Sequence, residues 1–424
     1  INGCDYIPEG LQKADAVEIA KLLEHYGVSC INVSSGGYEN PAAFIEPCYF
    51  PEGWKKENAL AVKAAVQIPV IAVNVIKHPE TAEALLREGV CDFAGVSRAQ
   101  LADPDWVNKA CSGREALLRK CIGCMSCNKE VVNHRGIRCA INPRLGRERD
   151  YNAAALRRDG AGRCVPVIGG GPAGMQAAIV LAERGFRPIL FERRAYLGGS
   201  AVLASKAPCK GLVAEYIETQ KNQLAALGVQ VELNHAPTMA ELRRLDPYGI
   251  FVAMGGQQIV PDIPGINREN VFGIEDILLG RRVIEGREVA VIGGGHVGLE
   301  VAHFLCANNK VTIVEMADEI GASVYYITKF KLLPLLREAG VTFRTGQAIA
   351  AVDDGGIRLR DTHTGQCTEL KAEAVVLAMG SRPDLAARAA FDRNFDHVVY
   401  AGDAVRGGTM LEANRDAFAL AWEF

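Results

Sequence analysis

The sequence predicts an α/β protein whose parallel strands alternate with helices, and three observations support this class. Apolar strands and amphipathic helices alternate three times before residue 100. After residue 163, a strand running into a glycine loop and a helix occurs twice. A cysteine-rich segment lies between these two regions. The order predicts parallel βα units, then a thiol site, then two nucleotide-binding folds.

The composition is that of an ordinary globular protein of 424 residues, with 49% hydrophobic and 23% charged residues. A net charge of −3 favours neither nucleic acid nor an anionic membrane as partner. We find no signal peptide and no bilayer-spanning apolar run, so we expect the 13 cysteines to be reduced, in the cytoplasm. Because residue 1 is Ile, we expect the chain to begin inside a longer protein.

The first hundred residues contain three predicted βα units. Strands are expected at 28–33, 69–75 and 91–96, and helices at 14–26, 58–66 and 80–88. Continuous apolar strands between helices indicate a parallel sheet covered on both faces. A doubly wound sheet and a (β/α)8 barrel both supply such units, and three units cannot close an eight-stranded barrel.

Polar residues follow the ends of these strands. They are the run 34–39, then Asn74 and Lys77, then Ser97 and Arg98. In barrels this rim carries the chemistry, and its last loops commonly bind a phosphate. The guanidinium of Arg98 with neighbouring amides suits such an anion. A structural arginine packed over a strand end is the alternative.

Four cysteines form the central motif: Cys121, Cys124, Cys127 and Cys139. Three are spaced by two residues, so one tight loop can present them together, and the fourth returns from further along the chain. Thiolates in this arrangement are typical ligands of a four-iron cluster. Zinc is the alternative metal, although zinc sites made of four cysteines usually divide into two pairs. Unrelated buried thiols are the remaining alternative.

The first glycine loop follows an apolar strand and opens a helix, with glycines at Gly169, Gly171 and Gly174. This G-x-G-x-x-G context lets backbone amides approach a pyrophosphate at the helix N-terminus. The next strand ends in Glu192, whose carboxylate can bind a ribose diol. The combination predicts a dinucleotide site.

The second glycine loop repeats the pattern with Gly293, Gly295 and Gly298, and its second strand ends in Glu315. Two such loops imply two dinucleotides. A carboxylate at the ribose repels a 2′-phosphate, and further acid without arginine follows it, so a nicotinamide dinucleotide bound here would be NADH rather than NADPH. We interpret His296 as a variable loop position without a role of its own.

The stretch IPVIAVNVIKHPETAEALLREGVCDFAGVSRAQLADPDWVNKA, with RKCIGCMSCNKE and CAINPRLGRE after it, resembles the iron–sulfur branch of the old yellow enzyme family. That branch includes 2,4-dienoyl-CoA reductase, enoate reductase, trimethylamine dehydrogenase and the bile-acid desaturases. The resemblance extends to the last residue. It implies the C-terminal part of a (β/α)8 TIM barrel, an iron–sulfur segment, and two nested Rossmann-like domains.

The resemblance also implies the division of the chain. The expected segments are 1–110 for the FMN-binding barrel part, 111–150 for the 4Fe-4S cluster, 151–163 for a linker, 164–286 with 381–424 for FAD, and 287–380 for NAD(H).

Site residues follow from the same resemblance. The FMN phosphate is expected at Asn74, Val75, Ser97 and Arg98. The FAD is expected at Gly169, Gly171, Gly174, Glu192, Gly199, Gly402 and Asp403. The NAD(H) is expected at Gly293, Gly295, Gly298 and Glu315, and the cluster at the four cysteines.

The chain departs from the family pattern in two respects. About four barrel units that precede this region in the family are absent, and only residues 1–3 are left of the strand before 28–33. Tyr38 stands where the dienoyl-CoA reductases have a His in the loop after the sixth barrel strand. Its hydroxyl can donate a proton, so we expect a catalytic role, with aromatic packing over the barrel mouth as the alternative.

These parts predict an NADH-dependent ene-reductase. Electrons would pass from NADH to FAD, to the cluster, to FMN, and to an activated C=C bond of an enoate, enoyl-CoA or enone. The same family run in reverse is a desaturase or amine dehydrogenase. Two other classes stay open: an NADH-oxidising electron-transfer module without alkene reduction, and a zinc-stapled binding protein. The expected partner is a small unsaturated molecule, and homo-oligomerisation is left open.

Overall fold

Parallel sheets divide between two units of the chain. The computed structural model describes residues 1–73 and 75–424. Of these, residues 1–129 and 325–332 form the first unit, and residues 130–324 and 333–424 form the second. Asn74, predicted at the FMN phosphate, lies outside the described residues. The finer division into barrel, cluster, linker and nucleotide segments stays a prediction.

The first unit contains three strands that pair in parallel in the order β1-β2-β3. Its elements are α1 (Lys13–His25), β1 (Ile31–Val33), α2 (Pro41–Phe44), α3 (Lys56–Lys63), β2 (Val70–Ala72), α4 (Pro79–Arg87), β3 (Phe93–Ala94), α5 (Arg98–Ala102), α6 (Trp106–Cys111) and α7 (Ser126–Val132), whose last residues enter the second unit.

Apolar side chains of the strands and helices form one core in the first unit. Val33, Val70 and Ala72 are buried, and Val62 of α3 and Leu85 of α4 pack against them. The strands are shorter than predicted. Before β1, the chain makes a single parallel bridge between Asn2 and Ser34. The predicted remnant of a preceding strand is therefore present.

The second unit holds the remaining elements. They are β4 (Cys164–Ile168), α8 (Pro172–Glu183), β5 (Arg187–Glu192), α9 (Ser200–Lys206), α10 (Gly211–Ala226), β6 (Gln230–Leu233), α11 (Met239–Arg244), β7 (Ile250–Val252), β8 (Gly256–Gln258), β9 (Val271–Gly273), α12 (Ile274–Leu278), β10 (Glu288–Ile292), α13 (His296–Leu305), β11 (Lys310–Val314), α14 (Tyr326–Glu338, beginning in the first unit), β12 (Thr342–Arg344), β13 (Gln347–Val352), β14 (Gly356–Asp361), β15 (Cys367–Lys371), β16 (Ala374–Leu377), β17 (Ser381–Pro383), α15 (Leu385–Asp392), β18 (Val398–Tyr400) and α16 (Met410–Glu423).

Two five-stranded parallel sheets organise the second unit. One has the order β18-β7-β4-β5-β6 and the other β12-β11-β10-β16-β9. In each sheet the strand that leads into a glycine loop is central, so the loop opens at the carboxyl edge between its neighbours. An antiparallel sheet, β13-β14-β15, is inserted before β16, and β8 pairs with β17 where the chain passes between the two sheets.

The predicted fold class is confirmed. The described chain is α/β with parallel sheets, and its first unit supplies part of a barrel. Strands β4 and β16 are almost wholly buried, as expected for parallel strands with helices on both faces. Among the described helices, none combines the length and the apolar character needed to cross a bilayer.

Candidate functional sites: two glycine loops and a cysteine loop

The first glycine loop, residues 169–174, brings a helix directly onto the end of a strand. Gly169 has φ of +104°, and a Cβ on Gly174 would lie 1.9 Å from the Gly169 carbonyl oxygen. Only glycine permits this approach. A Cβ on Gly171 would meet only the Cα of Gly199, at 3.9 Å. A Cβ on Gly199 would lie 2.9 Å from the Gly171 Cα. The predicted glycines therefore gather at the N-terminus of α8.

The second glycine loop, residues 293–298, is built in the same way. Gly293 has φ of +110°, and a Cβ on Gly298 would lie 1.8 Å from its carbonyl oxygen. A Cβ on Gly295 would meet nothing within 4 Å, so this side of the loop is open to a ligand. The sequence repeat is thus a repeat of geometry at the N-terminus of α13.

The two predicted ribose acids are held at their loops by the backbone. The Glu192 carboxylate accepts a hydrogen bond from the Gly170 amide, and the Glu315 carboxylate accepts one from the Gly294 amide, each at 2.7 Å. The second oxygen of each carboxylate accepts the amide two residues further along, at 2.8 Å. Both carboxylates are therefore oriented before any ligand arrives, at the strand ends where a ribose is expected.

Gly402 lies beside the first glycine loop, and Asp403 follows it in the sequence. Gly402 has φ of +63°, and its Cβ would lie 3.3 Å from the Cβ of Ala173 in that loop. Asp403 accepts hydrogen bonds from the Ser381 hydroxyl at 3.2 Å and the Gly408 amide at 3.1 Å, while burial raises the pKa of its carboxyl. Asp403 therefore follows a glycine that lies beside the first loop, and its role at FAD stays a prediction.

An ionic cluster at the second loop was missed by the sequence reasoning. Glu300 of α13, 7% exposed, lies 2.6 Å from the Lys210 ammonium and 2.7 Å from His296 Nε2. Burial acts to raise the pKa of Glu300, but Lys210 and His296 together lower it to about 2. The i, i+4 spacing of His296 and Glu300 was a usable signal on a helix. No sequence signal indicated Lys210, because it adjoins α10 and is distant in sequence from Glu300.

The cysteine loop, residues 121–127, is tightly folded in the first unit. Gly123 has φ of +66°, and a Cβ there would lie 2.9 Å from the backbone of Cys48, whose amide donates to the Gly123 carbonyl. Met125 also has positive φ, +64°, and is 2% exposed. The residues between the cysteines thus anchor the loop.

The thiols of this loop lie close enough to influence one another. Burial, with Cys124 and Cys121 nearby, raises the pKa of the Cys127 thiol to about 11, although Arg98 acts in the opposite direction. A bound cation would relieve this repulsion, and thiolates are the ligands that iron–sulfur clusters take. Within residues 1–73 and 75–424, no three His, Cys, Asp or Glu side chains are arranged to hold a single metal ion. Cys139 belongs to the second unit.

Arg98, predicted at the FMN phosphate, forms a buried ionic cluster with Glu46 and Lys55. Its guanidinium lies 2.9 Å from Glu46 Oε2 and donates to the Met125 sulfur at 3.6 Å. Glu46 also pairs with the Lys55 ammonium at 2.6 Å, and burial lowers the pKa of that lysine. Sequence reasoning missed Glu46 and Lys55, and nothing in their spacing indicates the cluster. A phosphate would have to share Arg98 with Glu46.

The other rim residues stay predictions. Ser97 precedes α5 and Val75 has φ of +46°. Tyr38 is 84% exposed, with its ring centroid 5.4 Å from that of Phe44. Its contact is the aromatic packing considered as the alternative to catalysis, and its catalytic role is untested.

Comparison with known proteins identifies the class. Residues 164–397, which contain both glycine loops, match the family "Pyridine nucleotide-disulphide oxidoreductase". Residues 3–116 match "NADH:flavin oxidoreductase / NADH oxidase family". The first is a family of pyridine-nucleotide oxidoreductases, and the second is a family of flavin oxidoreductases. The chain belongs to the pyridine nucleotide-disulphide oxidoreductase family through its second unit and, with both matches together, to the old yellow enzyme type of flavin oxidoreductases.

Relatives align with nearly the whole chain. It is 35% identical to an NADH oxidase of Thermoanaerobacter brockii, covering 99% of this chain and 65% of that protein. It is 33% identical to a bilirubin reductase of Mediterraneibacter gnavus, covering 93% and 61%. A solved 2-naphthoyl-CoA reductase complex superposes with a TM-score of 0.93 at 28% identity, covering 100% and 64%. The chain thus spans less than two thirds of the length of these relatives.

The open side of the second loop yields a prediction. Gly295 has φ of −74° and ψ of −170°, which alanine adopts, so Gly295→Ala should leave the free energy of unfolding within about 0.5 kcal/mol. The new methyl should instead obstruct the pyrophosphate and weaken NADH binding by about tenfold or more. Isothermal titration checks this. The matched control is Gly355→Ala, which also has open space at Cβ. Unchanged NADH affinity in the first variant would contradict the assignment.

The pKa of Glu300 yields a second prediction. Its folded pKa of about 2 lies below the ordinary 4.5, so its contribution is complete above pH 4.5 and is lost as pH falls towards 2. Glu300→Gln should therefore lower the free energy of unfolding at pH 7 by up to about 3 kcal/mol, a difference that shrinks below pH 4.5. Urea unfolding measures it. Glu218→Gln, an exposed carboxylate paired with Lys221, should stay within about 0.5 kcal/mol.

Proposed function

We propose that the chain is the NADH-oxidising and electron-transferring part of a flavin and iron–sulfur oxidoreductase. NADH binds at the second glycine loop, FAD at the first, a 4Fe-4S cluster at the four cysteines and FMN at the rim of the barrel part. When bound, these groups would supply hydride and single-electron chemistry, with an activated C=C bond as the final acceptor.

The observation that carries the proposal is the pair of equivalent glycine loops in one unit. Both open at the carboxyl edge of a parallel sheet beside an oriented carboxylate. Gly402 lies beside Ala173 of the first loop, and Asp403 follows Gly402 in the sequence. In the family that the chain resembles, a Gly-Asp pair at this place binds FAD, which supports FAD at the first loop and a nicotinamide dinucleotide at the second.

The residues of the cysteine loop support the cluster. Cys121, Cys124 and Cys127 influence one another in a loop whose glycine and methionine adopt left-handed backbone. In a four-iron cluster each thiolate binds a different iron, so one ligand can come from a separate segment, and Cys139 is the proposed fourth ligand. These thiols bind and hold the cluster, and the nearby Arg98 guanidinium offsets part of its negative charge.

The substrate class rests on the relatives and the family. Bilirubin reductase and 2-naphthoyl-CoA reductase are named for conjugated substrates. They support an unsaturated small molecule, such as an enoate, enoyl-CoA or enone, for the protein to which this chain corresponds. Tyr38 is proposed as proton donor. The same family includes desaturases and amine dehydrogenases, which are the alternative direction.

One observation favours a second candidate function. The predicted phosphate ligand Arg98 is paired with Glu46 inside the first unit. Because Glu46 already neutralises Arg98, this pairing favours a chain that does not bind FMN. Such a chain would oxidise NADH and transfer electrons without reducing an alkene. The two candidates differ in their final acceptor, so one assay separates them.

The proposal is tested on the chain purified without oxygen. We expect bound iron, acid-labile sulfide and FAD, and reduction of a dye by NADH. Addition of cinnamate or a crotonyl thioester then separates the candidates, since dye reduction alone supports the electron-transfer module. Cys127→Ser should lose the iron and any alkene reduction while keeping FAD and dye reduction. Cys30→Ser, at an exposed thiol, is the control. Colourless protein containing zinc would refute the proposal.

The choice of nicotinamide is tested separately. Glu315 should repel the 2′-phosphate of NADPH, so stopped-flow flavin reduction should be about tenfold or more faster with NADH at subsaturating concentration. Glu315→Gln keeps the shape without the charge and should narrow this preference, whereas Glu319→Gln, at an exposed position in the same connection, should not. A clear preference for NADPH in the unsubstituted chain would overturn the assignment.

A further inference from the structure

A short segment of the nucleotide-binding region is folded into the first unit. Residues 325–332, which we call the strap, belong to the first unit, although the chain on both sides belongs to the second. The Tyr325 hydroxyl donates a hydrogen bond to Asn128 Oδ1 at 2.5 Å. Asn128 directly follows Cys127. The strap therefore contacts the chain next to a proposed cluster ligand.

The strap also packs on the other side of Cys127. Ile327 is 1% exposed and forms a buried cluster with Met125 and Ala42. Met125 lies between the second and third cysteines of the loop and has φ of +64°, a conformation that needs support from its surroundings. Lys331 places its ammonium 4.9 Å from the centroid of the Phe50 ring. Apolar packing and a hydrogen bond thus fix the backbone on both sides of one ligand.

The chain that leads into the strap is tied to the second glycine loop. The Gly321 amide donates to the Gly294 carbonyl oxygen at 2.9 Å, and the Gly294 amide donates to Glu315. The Val324 amide then donates to the Gly321 carbonyl oxygen, also at 2.9 Å. Residues 322–324 separate this contact from Tyr325. One continuous stretch, 315–332, therefore contacts the dinucleotide loop at its start and the cysteine loop at its end.

We propose that Tyr325 and the strap are positioning elements for the cluster, and that through them dinucleotide binding at the second glycine loop changes the cluster's reduction potential. This rests on the proposed function, in which the cysteine loop holds the cluster. Cluster potentials depend on hydrogen bonding and packing around the ligands. The hydrogen bond between Gly321 and Gly294 joins residues 315–324 to the second loop. A dinucleotide that orders the loop therefore also orders these residues. The cluster's oxidation state must in turn alter dinucleotide affinity by the same factor.

The test uses the chain purified without oxygen with its cluster, titrated by redox potential and followed by the electron paramagnetic resonance of the reduced cluster. The probe is NAD⁺, which binds without delivering electrons. We expect NAD⁺ to change the equilibrium constant for one-electron reduction by about fivefold or more, which is about 40 mV. Tyr325→Phe keeps the ring and removes the hydroxyl, so the NAD⁺-dependent shift should be lost while NAD⁺ affinity for the oxidised protein changes little.

Tyr26→Phe, at an 81% exposed tyrosine of the same unit, is the matched control and should keep the shift. If Tyr325→Phe loses iron or folds poorly, Ile327→Val trims the strap by one methylene, and a reduced shift in that variant supports the proposal. A shift that is absent from the unsubstituted chain, or unchanged in both strap variants, overturns it. Absence of iron and sulfide from the unsubstituted chain would instead refute the proposed function, so the two failures are distinguished by elemental analysis.

Discussion

The second unit depends on a contact that is possible only without a side chain. At Gly174 and Gly298 the first turn of a helix lies on the carbonyl of the loop's first glycine, at distances that exclude any Cβ. This approach directs the N-termini of α8 and α13 towards the open faces at Gly171 and Gly295. Amides and the helix dipole then favour an anionic pyrophosphate. The sheets, the oriented glutamates and both nucleotide sites are arranged around these two contacts.

Buried charge connects parts of the fold that chain order separates. Glu300 is held between Lys210 and His296 in the second unit, and Glu46 between Lys55 and Arg98 in the first. Each cluster places a carboxylate out of water, where it is stable only with its cations present. Removing one partner leaves an uncompensated buried charge, so it costs more free energy than the intact pair contributes. One cluster lies at the dinucleotide loop and the other beside the cysteine loop.

The glycines that repeat at fixed spacing were predicted to lie in loops between a strand and a helix. The structure places them in such loops and brings the glycines of each loop together. The glycines, Glu192 and Glu315 occupy equivalent places because a strand, a tight turn and a helix leave little choice of geometry. The prediction for His296 as a position without a role contrasts with its contact to Glu300. Lys210, Glu46 and Tyr325 were not anticipated, since their partners lie far away in sequence and no local pattern records such a pairing. Cys139, Tyr38 and the FMN residues stay predictions.

The sequence by itself determined the α/β class and the two strand–glycine loop–helix repeats, and it predicted the order of the segments, the dinucleotides and the cluster cysteines. The features that the structure confirms follow from local periodicity and from residue types whose conformation is specific, such as glycine at positive φ. Only the tertiary structure decided that Arg98 pairs with Glu46, that Lys210 reaches α13, and that residues 325–332 join the unit of the cysteine loop. These contacts depend on long-range packing, which brings together side chains that no short spacing relates.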